Sequence, residues 1–113
     1  MTVRTRAFGP SQIATTDAVT VYTAGTGFVG RIDKFTLVNT TTTDVTGCKV
    51  LIGGTSTSDE VVTDLTVPAS DEVQVAVANH AVQAGDALNV QVGTATAINY
   101  YVTITERTQR PVS

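Results

Sequence analysis

The sequence predicts an all-β fold, a single antiparallel β-sandwich of about seven or eight strands, and three observations carry that prediction. Val, Ile and Thr together supply 45 residues, against 20 for Leu, Met, Lys, Arg, Glu and Gln. β-Branched side chains lose rotamer freedom on a helix but fit a pleated, half-buried surface, so this bias selects strands. Apolar residues also alternate with polar ones at period two in several segments, and turn chemistry interrupts them every 8–12 residues or so, the pattern of a sandwich or small barrel. Finally, 113 residues suit one domain that buries roughly two-thirds of its extended surface in a single core.

The elements follow in chain order. Residues 1–16 contain Gly9-Pro10-Ser11 and show no clear period, so they read as an extended N-terminal arm. Phe8 is the large apolar residue in that arm, and it either docks back on the domain or fills a pocket in a neighbour. The sandwich is expected over residues 17–106. Val19-Thr20-Val21-Tyr22 is the first strand, ended by Ala24-Gly25-Thr26-Gly27. Phe28 to Asn39 is the longest strand; its apolar parity changes between Ile32 and the Phe35/Leu37 pair, which calls for a β-bulge near Asp33-Lys34. Asn39 and the four threonines after it lead into a strand from Val45 to Ile52, closed by Gly53-Gly54. Val61 to Val67 is next, and Pro68, lacking an N–H, ends its ladder. Glu72 to Ala78 alternates most cleanly, with three valines on one face. Leu88 to Val92 follows the Ala84-Gly85-Asp86 turn. In the last strand, Ile98 to Glu106, Ile98, Tyr100, Val102 and Ile104 share one face, and Tyr101 stands on the polar one, a candidate contact residue. Residues 107–113 form a C-terminal tail.

Charge is unevenly distributed. Residues 17–106 hold all ten carboxylates against only Arg31, Lys34 and Lys49, whereas residues 1–16 carry Arg4 and Arg6 and residues 107–113 carry Arg107 and Arg110, with no acid in either. An acidic body disfavours nucleic-acid wrapping, which needs a basic face. Basic ends reaching for acidic protein neighbours fit better, so Arg4, Arg6, Phe8, Tyr101, Arg107 and Arg110 are the candidate partner-binding residues. No apolar stretch approaches the roughly 18 residues of a membrane span, and Met1-Thr2-Val3-Arg4 lacks a signal-peptide core, so no membrane partner and cytosolic synthesis are expected.

Residue chemistry argues against an enzyme and against a cofactor or metal. A histidine-based triad would have to run through His80, the single histidine, which falls in a strand-end loop. Cys48 lies in an apolar run and reads as a small buried hydrophobe; one Cys and one His cannot form a structural zinc site. Asp59, Glu60, Asp64, Asp71 and Glu72 cluster along the chain but lack the spacing of a calcium loop. Gly25-Thr26-Gly27 and Gly53-Gly54 read as hairpin turns, not phosphate cradles. The chain has no Trp, which weakens a sugar-stacking role for Tyr22, Tyr100 and Tyr101. Asn39-Thr40-Thr41 matches a glycosylation sequon, meaningful only in a secreted protein.

Val19-Thr20-Val21-Tyr22-Thr23, the strand Arg31 to Thr40, Ala84-Gly85-Asp86-Ala87-Leu88-Asn89-Val90 and Ile98-Asn99-Tyr100 together resemble the small virion proteins of tailed bacteriophages, of the capsid decoration or cement type. The resemblance covers roughly residues 18–106. It implies a jelly-roll-like sandwich, a homodimer or homotrimer, binding to the major capsid protein, and a place on the outside of the virion after synthesis in the host cytoplasm. A tail, fibre or head–tail accessory protein is the alternative within that class, and a glycan-binding module the alternative outside it.

Overall fold

A computed structural model describes residues 3–108. Among them nine strands form: β1 (Val3–Ile13), β2 (Val19–Thr23), β3 (Phe28–Asn39), β4 (Val45–Ile52), β5 (Glu60–Val67), β6 (Glu72–Gln74), β7 (Ala81–Val82), β8 (Ala87–Gln91) and β9 (Ile98–Thr108), with one 3-10 turn at Thr57–Asp59. They make two antiparallel sheets. One has the order β1-β9-β3-β6, with β7 continuing the β6 side of β3; the other has the order β2-β8-β4-β5. Counting β6 and β7 as one interrupted strand, the chain changes sheet at every connection except β4 to β5. That is the doubly wound path of a jelly roll. The molecule measures 54 × 26 × 21 Å. An eleven- or twelve-residue strand spans roughly 36–40 Å, so β1, β3 and β9 run along its long axis.

The core lies between the sheets. Ile32, Leu37, Val50, Leu88, Val90, Ile98, Val102 and Ile104 are completely buried, and Phe35 is 1% exposed. Each such side chain contributes on the order of 1.5–3 kcal/mol of transfer free energy. The expected bulge in β3 is present: the β3–β9 register slips between Ile32 and Lys34, leaving Asp33 as the extra residue. Ile32 on one side of it and Phe35 and Leu37 on the other then all face the core.

Three expectations need correction. The segment 1–16 is not a free arm where it is described, because Val3–Ile13 is a full edge strand paired with β9 from Val3↔Arg107 to Ile13↔Ile98. Its alternation, Val3, Thr5 and Ala7 against Arg4, Arg6 and Phe8, is obscured by the arginines that occupy the inward positions. Gly9 and Pro10 loop out of register between Phe8 and Ser11; Gly9 has φ +90°, and a Cβ there would collide with the Tyr100 carbonyl. Likewise, residues 107 and 108 are not tail but the end of β9, with Arg107 held between Val3 and Val29 and Thr108 paired with Phe28. Lastly, the segment from Glu72 to Ala78 is a strand for only three residues. Val75 still donates to the Phe35 carbonyl, but the next ladder bonds link Ile32 with His80 and Asn79, so the segment detours where β3 bulges, while Val75 and Val77 remain buried.

Candidate assembly surface

Glu106 organises the flank where β1 and β2 close the sandwich. The alternation of Ile98, Val102 and Ile104 places it on the inward face of β9, and it is 1% exposed. A buried carboxylate must be paired. Arg4 Nε donates to its Oε1 at 2.7 Å, the Tyr22 hydroxyl donates to Oε2 at 2.5 Å, and Arg6 approaches Oε2 at 3.6 Å. Burial pushes the Glu106 carboxyl up, but the Tyr22 and Arg4 hydrogen bonds and the two guanidinium charges outweigh it and hold the group below the usual carboxylate range. Burial first, and then the hydrogen bond to and charge of Glu106, raise the Tyr22 phenol well above its ordinary value.

Tyr22 reaches this position from the opposite sheet. The β2–β8 register slips between Thr20 and Tyr22, so Val21 and Tyr22 both point inward, 5% and 3% exposed, where simple alternation would have turned one of them out. Its ring passes over Gly30, which lies directly opposite Glu106 in the β3–β9 ladder. A Cβ on Gly30 would stand 2.6 Å from the Tyr22 hydroxyl and 2.8 Å from its Cε2. Phe8 packs against Tyr22 with ring centroids 5.4 Å apart, Arg6 lies 4.8 Å from the Phe8 centroid, and Arg4 lies 4.6 Å from that of Phe28. Phe8 therefore docks on its own domain. The structure brings Arg4, Arg6 and Phe8 together around an acid of the same chain, and the two arginine side chains stay about half exposed, at 49% and 43%.

Arg107 and Tyr101 lie elsewhere, on the outward face of the five-stranded sheet. Arg107, Arg31, Val3, Val29 and Ala81 line a groove of about 490 Å³ there. Arg31 pairs with Asp33 at 3.1 Å, and Asp33 also accepts from Thr105, so the bulge residue braces this face. Tyr101 is 37% exposed and pairs across the ladder with Thr36. Arg110 lies outside the described residues. Sequence reasoning missed Glu106, Tyr22 and Gly30. An acid that continues the apolar face of Ile98, Val102 and Ile104 was the signal available for Glu106; nothing in the sequence marked Gly30.

The remaining reactive groups serve the fold. The His80 ring Nδ1 sits 3.1 Å from the Val77 carbonyl within its own turn. Cys48 is completely buried, and burial raises its thiol, a hydrogen bond with the Gly93 backbone pulling partly the other way. Asn39, 1% exposed, donates to the carbonyls of Thr43 and Val67 and accepts from Thr41, so its amide pins the threonine loop. Asp59 caps the 3-10 turn through Ser56, and Glu60 lies 3.7 Å from Lys49.

No protein-family model matches the sequence, and no curated protein matches it. Among solved structures, a subunit of Bacillus endospore appendages, described as forming a novel family of disulfide-linked pili, aligns over 96% of this chain and 90% of its own with a TM-score of 0.57 and 12% identity. At that identity the likeness establishes a shared sandwich fold. A Podospora anserina GH26-CBM35 β-(1,4)-mannanase aligns over 98% of this chain but 28% of its own, at 14% identity and a TM-score of 0.41.

Proposed function

We propose that this chain is a structural subunit without catalytic activity, whose work is to join protein copies into a larger assembly. One observation carries the reading: among the described residues β1 has a hydrogen-bonded neighbour, β9, on one side only, runs for eleven residues of which nine are exposed, and is nevertheless anchored to the sandwich by Glu106. A long, pinned strand with a free edge is a template for another polypeptide. In the finer form of the proposal, suggested by the resemblance of residues 18–106 to phage decoration proteins, the assembly is a virion: the chain sits on the capsid exterior and binds the major capsid protein lattice, and also itself. That the endospore appendage subunits form pili makes self-association the first property to measure. Many weak contacts repeated in a lattice act together through effective concentration.

Light scattering on size-exclusion fractions over a range of concentrations, followed by cosedimentation with expanded phage heads stripped of decoration, tests the proposal. Concentration-dependent oligomers, or saturable binding to heads, are expected. A monomer at every concentration that also stays in the supernatant with heads overturns it.

A further inference from the structure

We infer that the cationic flank formed by β1 and β2 of one copy docks head to tail on the acidic flank formed by β5 and β6 of the next. The inference rests on the assembly reading above and names the surfaces it uses. Two sheets give four edge strands: β1 and β2 border one flank, and β5 and the β6/β7 pair border the other. β6 and β7 are three and two residues long and separated by the detour at the Asp33 bulge, and β2 has five residues. Among the described residues the long edges without a second strand neighbour are β1, with eleven residues, and β5, with eight.

Charge decides which edges meet. β1 carries Arg4 and Arg6 and no acid; β5 carries Glu60 and Asp64 and no base. Pairing β1 with β1, or β5 with β5, sets like charges opposite one another, which is destabilising; pairing β1 with β5 sets unlike charges together. Arg4 directs its Nε to Glu106, but a guanidinium has five donors, and both arginines keep about half of their surface in solvent. On the other side Asp64 is exposed and Glu72 of β6 extends the same sign, with Lys49 answering only Glu60. Glu106 balances one of the two arginine charges, and Asp17, two residues before β2, is held in a hydrogen-bonded turn with Thr15. Apolar surface matches as well: Val3 on β1 and Val61 on β5 are 61% and 40% exposed. Because the two flanks differ, each contact leaves one free flank of each kind, and the product is an open row or a ring, not a closed dimer.

Sedimentation velocity on the full chain and on two charge variants tests this. Asp64→Arg spoils the acidic flank and Ala7→Asp the cationic one, neither touching Glu106. Each alone is expected to associate about tenfold more weakly than the parent or worse, raised salt is expected to weaken the parent, and a 1:1 mixture of the variants is expected to recover association, since each brings the flank the other lacks. Val61→Lys and Val3→Asp replace either variant if it loses the parent's melting transition. A variant that associates like the parent, or a mixture no better than its components, overturns the inference. So does a parent that stays monomeric yet binds heads, an outcome that leaves the assembly reading standing; a parent that does neither overturns both.

Discussion

Glu106 shows how one misplaced-looking residue organises a flank. A carboxylate buried without partners would cost several kcal/mol; here Arg4, Arg6 and Tyr22 supply them from β1 and from the opposite sheet. Glu106→Gln keeps the shape and removes the charge, and is expected to lower unfolding stability in urea by about 2 kcal/mol at neutral pH, with Tyr22→Phe costing about 1–2 kcal/mol. The pH dependence has a fixed sign. A carboxyl held below its unfolded value of about 4.3 contributes stability that is complete above that pH and is lost as pH falls through the lower folded value. The stability gap between parent and Glu106→Gln should therefore be constant from neutral pH to about 5 and shrink below about 4; a gap that widens in acid contradicts the assignment. Gly30→Ala tests the same cluster sterically. Tyr22 is 3% exposed and cannot swing away, so the added methyl is expected to cost about 1–3 kcal/mol and, by displacing the hydroxyl, to reduce the further cost of Tyr22→Phe.

At the scale of elements, the same rule made some strands legible and hid others. Period-two alternation located β2, β3, β8 and β9, turn and breaker residues bounded β4 and β5, and a parity change located the bulge, because most of the inward positions in these strands are apolar. It failed at β1, where the inward positions are Arg4, Arg6 and Phe8, and it overextended β6, because Val75 and Val77 keep their alternating burial after the ladder has departed. The partner-binding residues fared similarly: charge found Arg4 and Arg6, but the partner it implied lay 102 and 100 residues away in the same chain, a pairing that only the β1–β9 register reveals. The bulge gives an element-scale prediction. Deleting Asp33 forces either Phe28–Ile32 or Phe35–Asn39 to turn its apolar set outward, so no cooperative unfolding transition is expected from that variant. Asp33→Ala keeps the extra residue and loses only the contacts to Arg31 and Thr105, and is expected to cost about 1 kcal/mol or less. Comparable melting curves for the two variants would show that the bulge is not what keeps β3 in phase.

At the scale of the whole molecule, the single cysteine, Cys48, bears on how copies could be joined. The Bacillus appendages that share this sandwich are described as disulfide-linked, and a disulfide between copies needs a reachable thiolate with Cα atoms about 4.4–6.8 Å apart. Cys48, the one cysteine of these 113 residues, does not offer a reachable thiolate: it is completely buried in β4 between β5 and β8, and burial raises its thiol, so less of it is thiolate near neutral pH. An assembly through the flanks proposed above is therefore expected to be held by surface contacts, which salt and charge reversal weaken and reductant does not. Native protein is therefore expected to leave a thiol-reactive dye unreacted until denaturant is added, and the sedimentation profile of its oligomers is expected to be the same with and without reductant. A profile that collapses to monomer on reduction would mean that β4 opens to expose Cys48 during assembly, and would move the joint between copies from the flanks of the sandwich to its interior.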